Sequence, residues 1–111
     1  RLRSGKVDGI LALGPVSALP TLDALKTTGN VGKVQFASFD LAPETLEATA
    51  KGEMAFLIDQ QQFLQGYLPI VMLANKAKYQ AIPSGLVMTG PGFVTPDNAK
   101  EVISLSKKGL R

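Results

Sequence analysis

Apolar and polar positions along the chain form a pattern that predicts short strands separated by helices. Three apolar segments, 7–14, 33–40 and 54–59, have the length and composition of strands. The first is a short apolar run with flanking glycines, which favours a strand buried on both faces.

The segments between these strands have helical spacing. After the first strand, Ala18, Leu22 and Leu25 fall at positions i, i+4 and i+7, and Gly29 stands where a helix commonly ends. The segment 41–52 has a proline near its start and a glycine at its end, which predicts a second helix. Strand and helix are therefore expected to alternate.

A longer helix is predicted over residues 61–78, and a short one from about Asp97 to Lys108. The apolar residues of the longer helix fall on one face: Phe63, Tyr67, Ile70, Ala74 and Ala77. Between the two helices, segment 81–99 contains three prolines and three glycines. We expect a linker or an extended strand pair there, rather than another strand–helix unit.

This order of elements predicts an α/β fold, in which helices flank a parallel sheet and right-handed crossovers connect its strands. The 111 residues are 45% hydrophobic, which suffices for one core and not for two ordinary domains. The longest strongly apolar run, Leu68–Ala74, is far shorter than the ~20 residues that cross a bilayer. Because the sequence begins with Arg1 and shows no signal-peptide pattern, we expect a processed start or a piece of a longer chain.

Composition excludes several kinds of chemistry. The chain contains no Cys and no His, so thiol catalysis, zinc fingers, Ser-His-Asp triads and imidazole acid–base steps are absent. The net charge is only +3, and the basic residues near the two ends are expected to be solvated rather than to bind nucleic acid. These residues are Arg1, Arg3, Lys6, Lys107, Lys108 and Arg111. Two glycine-containing loops lack the remaining residues of nucleotide-binding motifs, so no nucleotide, cofactor or metal is predicted.

Candidate functional residues follow the predicted strands: Gly14, Asp40, Asp59 and Gln60. The carboxyl ends of parallel strands share one edge of a sheet, which is where open α/β sheets bind ligands. An ionised Asp40 accepts hydrogen bonds, and the amide of Gln60 both donates and accepts them, which suits a polyol.

Other roles for these residues stay open on spacing alone. Asp40 fits the start of a turn equally well, and the glutamines fit as ordinary helix formers. Asp40 and Asp59 also form a possible carboxylate pair for glycoside hydrolysis, which nothing else in the chain supports. Asp59 fits as a cap of the helix that follows it.

Two longer segments carry a family resemblance: FASFDLAPETLEATAKGEMAFLIDQQQFLQGYLPIVML (36–73) and VMTGPGFVTPDN (87–98). They combine a strand ending in F-D, a helix ending in K-G, a strand ending in D-Q and a helix with Q-G-Y. In this combination the chain resembles the C-terminal part of a type I periplasmic sugar-binding protein, like the ribose and galactose receptors of bacterial ABC importers.

The resemblance implies two α/β lobes, joined by crossing strands, that close on one sugar. It implies that Asp40 and Gln60 hydrogen-bond sugar hydroxyls. The family's third contact, usually Asn or Asp, is replaced here by Gly14 and Pro15.

The resemblance also divides the chain. Residues 1–60 are expected to form the C-terminal ligand-binding lobe, and 61–85 a helix that packs on the missing N-terminal lobe, with a hinge crossing at Gln61 and Gln62. Residues 86–111 are expected to return through the hinge and form the C-terminal segment. Without its partner lobe, the apolar helix face within 63–77 is expected to drive association.

The expected function is that of a non-enzymatic, substrate-binding component of a bacterial ABC-type sugar importer, which binds a monosaccharide or polyol. Its expected partners are the sugar, the membrane permease subunits and the N-terminal lobe, without nucleic acid. The expected location is the periplasm, or a membrane-anchored extracytoplasmic site. The alternative is the effector-sensing domain of a LacI-type transcription regulator, which shares the two-lobe fold, and a small α/β enzyme comes third.

Overall fold

The computed structural model describes residues 7–111, in which strands and helices alternate regularly. The strands are β1 (Gly9–Ala12), β2 (Gln35–Phe39), β3 (Phe56–Asp59) and β4 (Gly92–Val94). The helices are α1 (Pro15–Thr27), α2 (Pro43–Ala50), α3 (Gln62–Tyr79) and α4 (Ala99–Lys107). Each predicted strand and helix is confirmed within a few residues. The basic residues Arg1, Arg3 and Lys6 lie outside the described part of the chain. Lys107 and Lys108 are exposed as predicted, whereas the expectation that Arg111 is solvated is wrong, since it pairs with the buried Asp59.

The strands form one sheet in the order β1-β2-β3-β4. The predicted parallel pairing is confirmed for β1 with β2 and for β2 with β3, whereas β4 runs antiparallel to β3. In this register Leu57 stands opposite Ser38 on one side and Val94 on the other. The Gly/Pro-rich segment therefore supplies an extended strand, and the sheet is mainly parallel with an antiparallel edge.

The prediction that β1 is buried on both faces is wrong. Gly9 is exposed, and Leu11 keeps 51% of its accessible surface, while Ala12 is buried. Within residues 7–111, β1 is an edge strand with β2 as its partner, and Leu11 is exposed there although Ala37, which pairs with it, is buried. An apolar run by itself does not distinguish an edge strand from a central one.

The core lies between the sheet and helices α1, α2 and α4. Ala18, Leu22 and Leu25 are buried as their spacing predicts, and Gly29 follows the end of α1 with φ +66°, in the left-handed region that glycine favours. Helix α2 packs against both α1 and α4. The largest fully buried apolar side chains are Phe36, Leu25, Leu46, Met54, Leu57 and Val94.

Helix α3 does not share this core, since none of its residues is buried. Phe63, Tyr67 and Ile70 keep 45%, 53% and 70% of their surface, and the first two stack at 5.8 Å between ring centroids. The apolar face that the sequence predicts is therefore exposed, on an elongated molecule of 60 × 27 × 21 Å. No helix within residues 7–111 combines the length and apolar character needed to cross a membrane.

Candidate ligand-binding site

The ends of β1, β2 and β3 meet at one edge of the sheet, as the sequence predicts. Asp40 follows β2 and Gln60 follows β3, and Gln60 Nε2 donates a hydrogen bond of 2.7 Å to Asp40 Oδ1. A Cβ atom added to Gly14, after β1, would lie 3.9 Å from Asp40 Oδ2. The two predicted site residues are therefore in direct contact, with the glycine beside them.

Asp40 has a backbone conformation that few side-chain-bearing residues adopt. Its φ is +62°, in the left-handed region, where Asp is among the better tolerated residues. Its N–H donates to the carbonyl of Ile58 at 2.9 Å, which continues the β2–β3 ladder by one bond. Because this conformation costs about 1 kcal/mol, it is retained where other contacts hold it.

A second amide reaches the same carboxylate oxygen. Gln62 Nε2 donates to Asp40 Oδ1 at 2.7 Å, the same distance as the bond from Gln60. The sequence placed Gln62 among solvated hinge residues and missed this contact. Gln61 adopts φ +56°, and this left-handed residue turns the chain between Gln60 and the first helical residue, Gln62.

The backbone of Gln60 is held from two directions. Its carbonyl oxygen accepts a hydrogen bond from Gln65 Nε2 in α3 and another from Thr89 Oγ1 in the returning segment, both at 3.1 Å. The side chain of Gln60 is thereby presented from a fixed point of the main chain. The end of β3, the start of α3 and the segment that leads into β4 meet at this point.

Asp59, beside Gln60, has a structural role. Its carboxylate is fully buried, accepts the N–H of Gln61 at 2.7 Å and forms a salt bridge with Arg111, whose Nη2 lies at 2.7 Å. The expectation that Asp59 caps α3 is wrong, since no side chain caps the helix and Asp59 binds the N–H of Gln61, the residue just before it. Because it is buried and paired, it cannot form a solvent-accessible carboxylate pair with Asp40.

A cavity of about 420 Å³ opens beside Gln60. It is lined by Phe39, Ile58, Gln60 and Gln65 together with residues 87–91, and Asp40 does not line it. A side chain would be tightly placed at one point of its wall, because a Cβ on Gly90 would lie 3.0 Å from the carbonyl oxygen of Asp59. The cavity is mostly apolar, with the amides of Gln60 and Gln65 and the hydroxyl of Thr89 as its polar groups.

These groups suit hydrogen bonding to a neutral polar ligand better than catalysis. The site offers one accessible carboxylate and several amides. Within residues 7–111 there is no cluster of three or more His, Cys, Asp or Glu side chains that would hold a metal ion.

Comparison with known proteins places the chain in a family. Residues 2–81 match the model of the periplasmic binding protein domain. The xylose/arabinose-binding protein XylF of Sulfolobus acidocaldarius is 31% identical over 84 residues, which cover 75% of this chain and 21% of that protein.

Solved structures of similar fold support the same assignment. A carbohydrate transporter from Acidothermus cellulolyticus, in complex with myo-inositol, is 26% identical with a TM-score of 0.84, over 99% of this chain and 38% of that one. The Caulobacter myo-inositol binding protein is 28% identical with a TM-score of 0.72, over 90% and 34%.

The same fold also occurs in a protein of another class. A putative LacI transcriptional regulator from Bacteroides fragilis matches with a TM-score of 0.72 at 17% identity, over 88% of this chain and 33% of that one, which shows a shared fold alone. In each of these comparisons the chain spans less than two fifths of the length of the protein that it matches.

Proposed function

Because the chain belongs to the periplasmic binding protein domain family, we propose that it forms the C-terminal part of a two-lobed receptor for a monosaccharide or polyol. The observation that carries this proposal is the contact between Asp40 and Gln60 at the carboxyl edge of the sheet. Two hydrogen-bonding side chains from neighbouring strands converge there, where α/β sheets bind their ligands.

The free hydrogen-bonding positions of the two side chains match a sugar. Among the described residues, no donor reaches Oδ2 of Asp40 or Oε1 of Gln60. Two hydroxyl groups of a ligand can donate to these oxygens, and one of them can accept from the remaining N–H of the Gln60 amide. A neutral polyhydroxylated ring supplies both donors and acceptors, whereas an anion would be repelled by Asp40.

The relatives support this class of ligand. XylF is named for xylose and arabinose, and two of the similar structures contain myo-inositol. These molecules are small, uncharged and densely hydroxylated. We therefore place the ligand of this chain among pentoses, hexoses and cyclic polyols.

The proposed division into lobes assigns residues 1–60 and the returning segment 86–111 to one lobe, and the helix within 61–85 to the surface of the N-terminal lobe. Burial supports this division, since β4 and α4 contribute Val94 and Val102 to the core while α3 contributes nothing. Sugar binding would close the lobes around the hinge at Gln61 and Gln62. The closed receptor would then deliver the sugar to the permease of an ABC importer, outside the cytoplasm and without transforming it.

A LacI-type regulator is the alternative, because it uses the same fold. XylF, a sugar-binding protein, is 31% identical to this chain, whereas the LacI regulator is 17% identical. This difference favours the receptor. The sequence upstream in the complete gene distinguishes them: a signal peptide supports the receptor, and a helix-turn-helix supports the regulator.

Calorimetry on the full-length protein tests the proposal, with D-xylose, L-arabinose, D-glucose, D-galactose and myo-inositol as ligands. We expect one of them to bind, and Asp40→Ala and Gln60→Ala each to weaken binding by about 5- to 150-fold, because a buried ligand hydroxyl loses its partner. Gln35→Ala, at an exposed position at the opposite end of β2, is the control. The proposal fails if no ligand binds, or if both site variants bind like the control.

A further inference from the structure

Asp40 is held asymmetrically by the side chains around it. Gln60 and Gln62 both donate to Oδ1, each at 2.7 Å. Among the described residues, Oδ2 receives no hydrogen bond and lies beside Gly14, which has no side chain to cover it. The two oxygens of one carboxylate therefore have different surroundings.

This asymmetry decides which oxygen is available to a ligand. Oδ1 already accepts two hydrogen bonds, as many as its two lone pairs provide for, so a third donor is disfavoured there. Oδ2 keeps both of its lone pairs. A ligand hydroxyl meets Oδ2, provided that the carboxylate does not rotate about χ2, a torsion with broad, weakly restricted minima.

The amides of Gln60 and Gln62 do not contribute equally to holding Asp40 in place. Gln60 is proposed to bind the ligand itself, so its amide is shared between Asp40 and the sugar. The side chain of Gln62, the first residue of α3, makes one hydrogen bond among the described residues, to Asp40 Oδ1. The turn before it is fixed by the buried carboxylate of Asp59, which binds the N–H of Gln61.

We propose that Gln62 is a positioning residue for the ligand site: its amide holds Oδ1 of Asp40 and thereby keeps Oδ2 directed to a sugar hydroxyl. The proposal rests on the proposed function, since it concerns the same site. It assigns to Gln62 a role that acts through Asp40 rather than through contact with the sugar.

The test uses Gln62→Met in the full-length protein, because Met has the length of Gln and no donor. We expect the affinity for the best-binding sugar of the panel to fall by about 5- to 20-fold, because Gln60 alone then holds Oδ1 of Asp40. Gln35→Met is the matched control, because Gln35 is exposed at the opposite end of β2 and its side chain makes no hydrogen bond among residues 7–111. The thermal midpoints of both variants should equal that of the wild type, since positions 35 and 62 are both exposed.

A double variant separates positioning from a general structural effect. In the Asp40→Ala background there is no carboxylate to hold, so Gln62→Met should weaken sugar binding no further. If Gln62→Met weakens sugar binding by the same factor in the Asp40→Ala background as in the wild type, then Gln62 acts independently of Asp40 and the inference is wrong.

Other outcomes distinguish this inference from the proposed function. If Asp40→Ala and Gln60→Ala weaken binding while Gln62→Met binds like the wild type, the receptor assignment stands and the positioning role is overturned. If the wild type binds no sugar of the panel, both are overturned.

Discussion

Arg111 holds the fully buried carboxylate of Asp59 with two nitrogens, Nε at 2.9 Å and Nη2 at 2.7 Å from Oδ2. The other carboxylate oxygen binds the N–H of Gln61 at 2.7 Å. One charged pair, whose members are 52 positions apart, thus fixes the point where the chain leaves β3. The guanidinium also lies against Gly92, since a Cβ there would be 3.4 Å from Nη2.

Removal of this arginine is expected to destabilise the fold strongly. Arg111→Ala leaves the Asp59 carboxylate buried without a counter-ion, which typically costs about 3 kcal/mol of unfolding free energy. Urea unfolding of the full-length protein measures the loss. Lys108→Ala, at an exposed position three residues earlier, should change the free energy by less than about 0.5 kcal/mol. Equal effects of the two variants would show that the salt bridge contributes nothing.

A small side chain at Gly90 is expected to disturb the approach to β4. The Cβ of Gly90→Ala would lie 3.0 Å from the Asp59 carbonyl oxygen and 3.4 Å from the N atom of Gly92, both of them backbone atoms that cannot move aside independently. We expect a loss of about 1–3 kcal/mol.

The control for Gly90→Ala is Gly85→Ala in the same segment, where an added Cβ meets no atom within 4 Å. Chemical denaturation should leave Gly85→Ala at the wild-type stability or slightly above it. If Gly90→Ala and Gly85→Ala both have the wild-type stability, the backbone accommodates a Cβ at position 90 and the prediction is wrong.

The backbone conformation at Asp40 leads us to expect different stabilities for two variants that both lack the carboxylate. Asp40→Gly accepts φ +62° without strain, whereas Asp40→Ala carries the steric cost of the left-handed region. We expect the glycine variant to be more stable by about 1 kcal/mol, with sugar binding weakened in both. Thermal unfolding and calorimetry of the two proteins give the comparison. A more stable alanine variant would mean that the position relaxes out of the left-handed region.

The sequence predicted those parts of the structure that depend on local pattern or on general sheet geometry. Ala18, Leu22 and Leu25 are buried because helical spacing alone puts them on one face of α1. Asp40 and Gln60 meet because the ends of neighbouring parallel strands share one edge, which follows from the order of strands and helices.

What the sequence missed depends on single backbone angles and distant partners. The contact of Gln62 with Asp40 follows a left-handed turn at Gln61, and glutamine carries no signal for that conformation. The pairing of Asp59 with Arg111 joins residues with no common local motif. The exposure of Leu11 depends on the position of β1 at the edge of the sheet, which its own apolar run does not reveal.

The exposed face of α3 leads to a prediction about the 111-residue chain studied alone. Phe63, Tyr67 and Ile70 present a continuous apolar surface on a helix without buried residues. Surfaces of this kind drive association when their partner is missing. We expect light scattering to show an average mass that rises with concentration above that of the 11.7 kDa monomer.

A charge on that face should suppress the association. Ile70→Asp places a carboxylate in the middle of the apolar surface, whereas Asn75→Asp adds the same charge about 140° around the helix, given 100° per residue. Both positions are exposed, so neither change should affect folding. We expect Ile70→Asp to be monomeric across the concentration range and Asn75→Asp to associate like the wild type. A wild-type chain that is monomeric at high concentration would count against α3 as a surface that the N-terminal lobe covers.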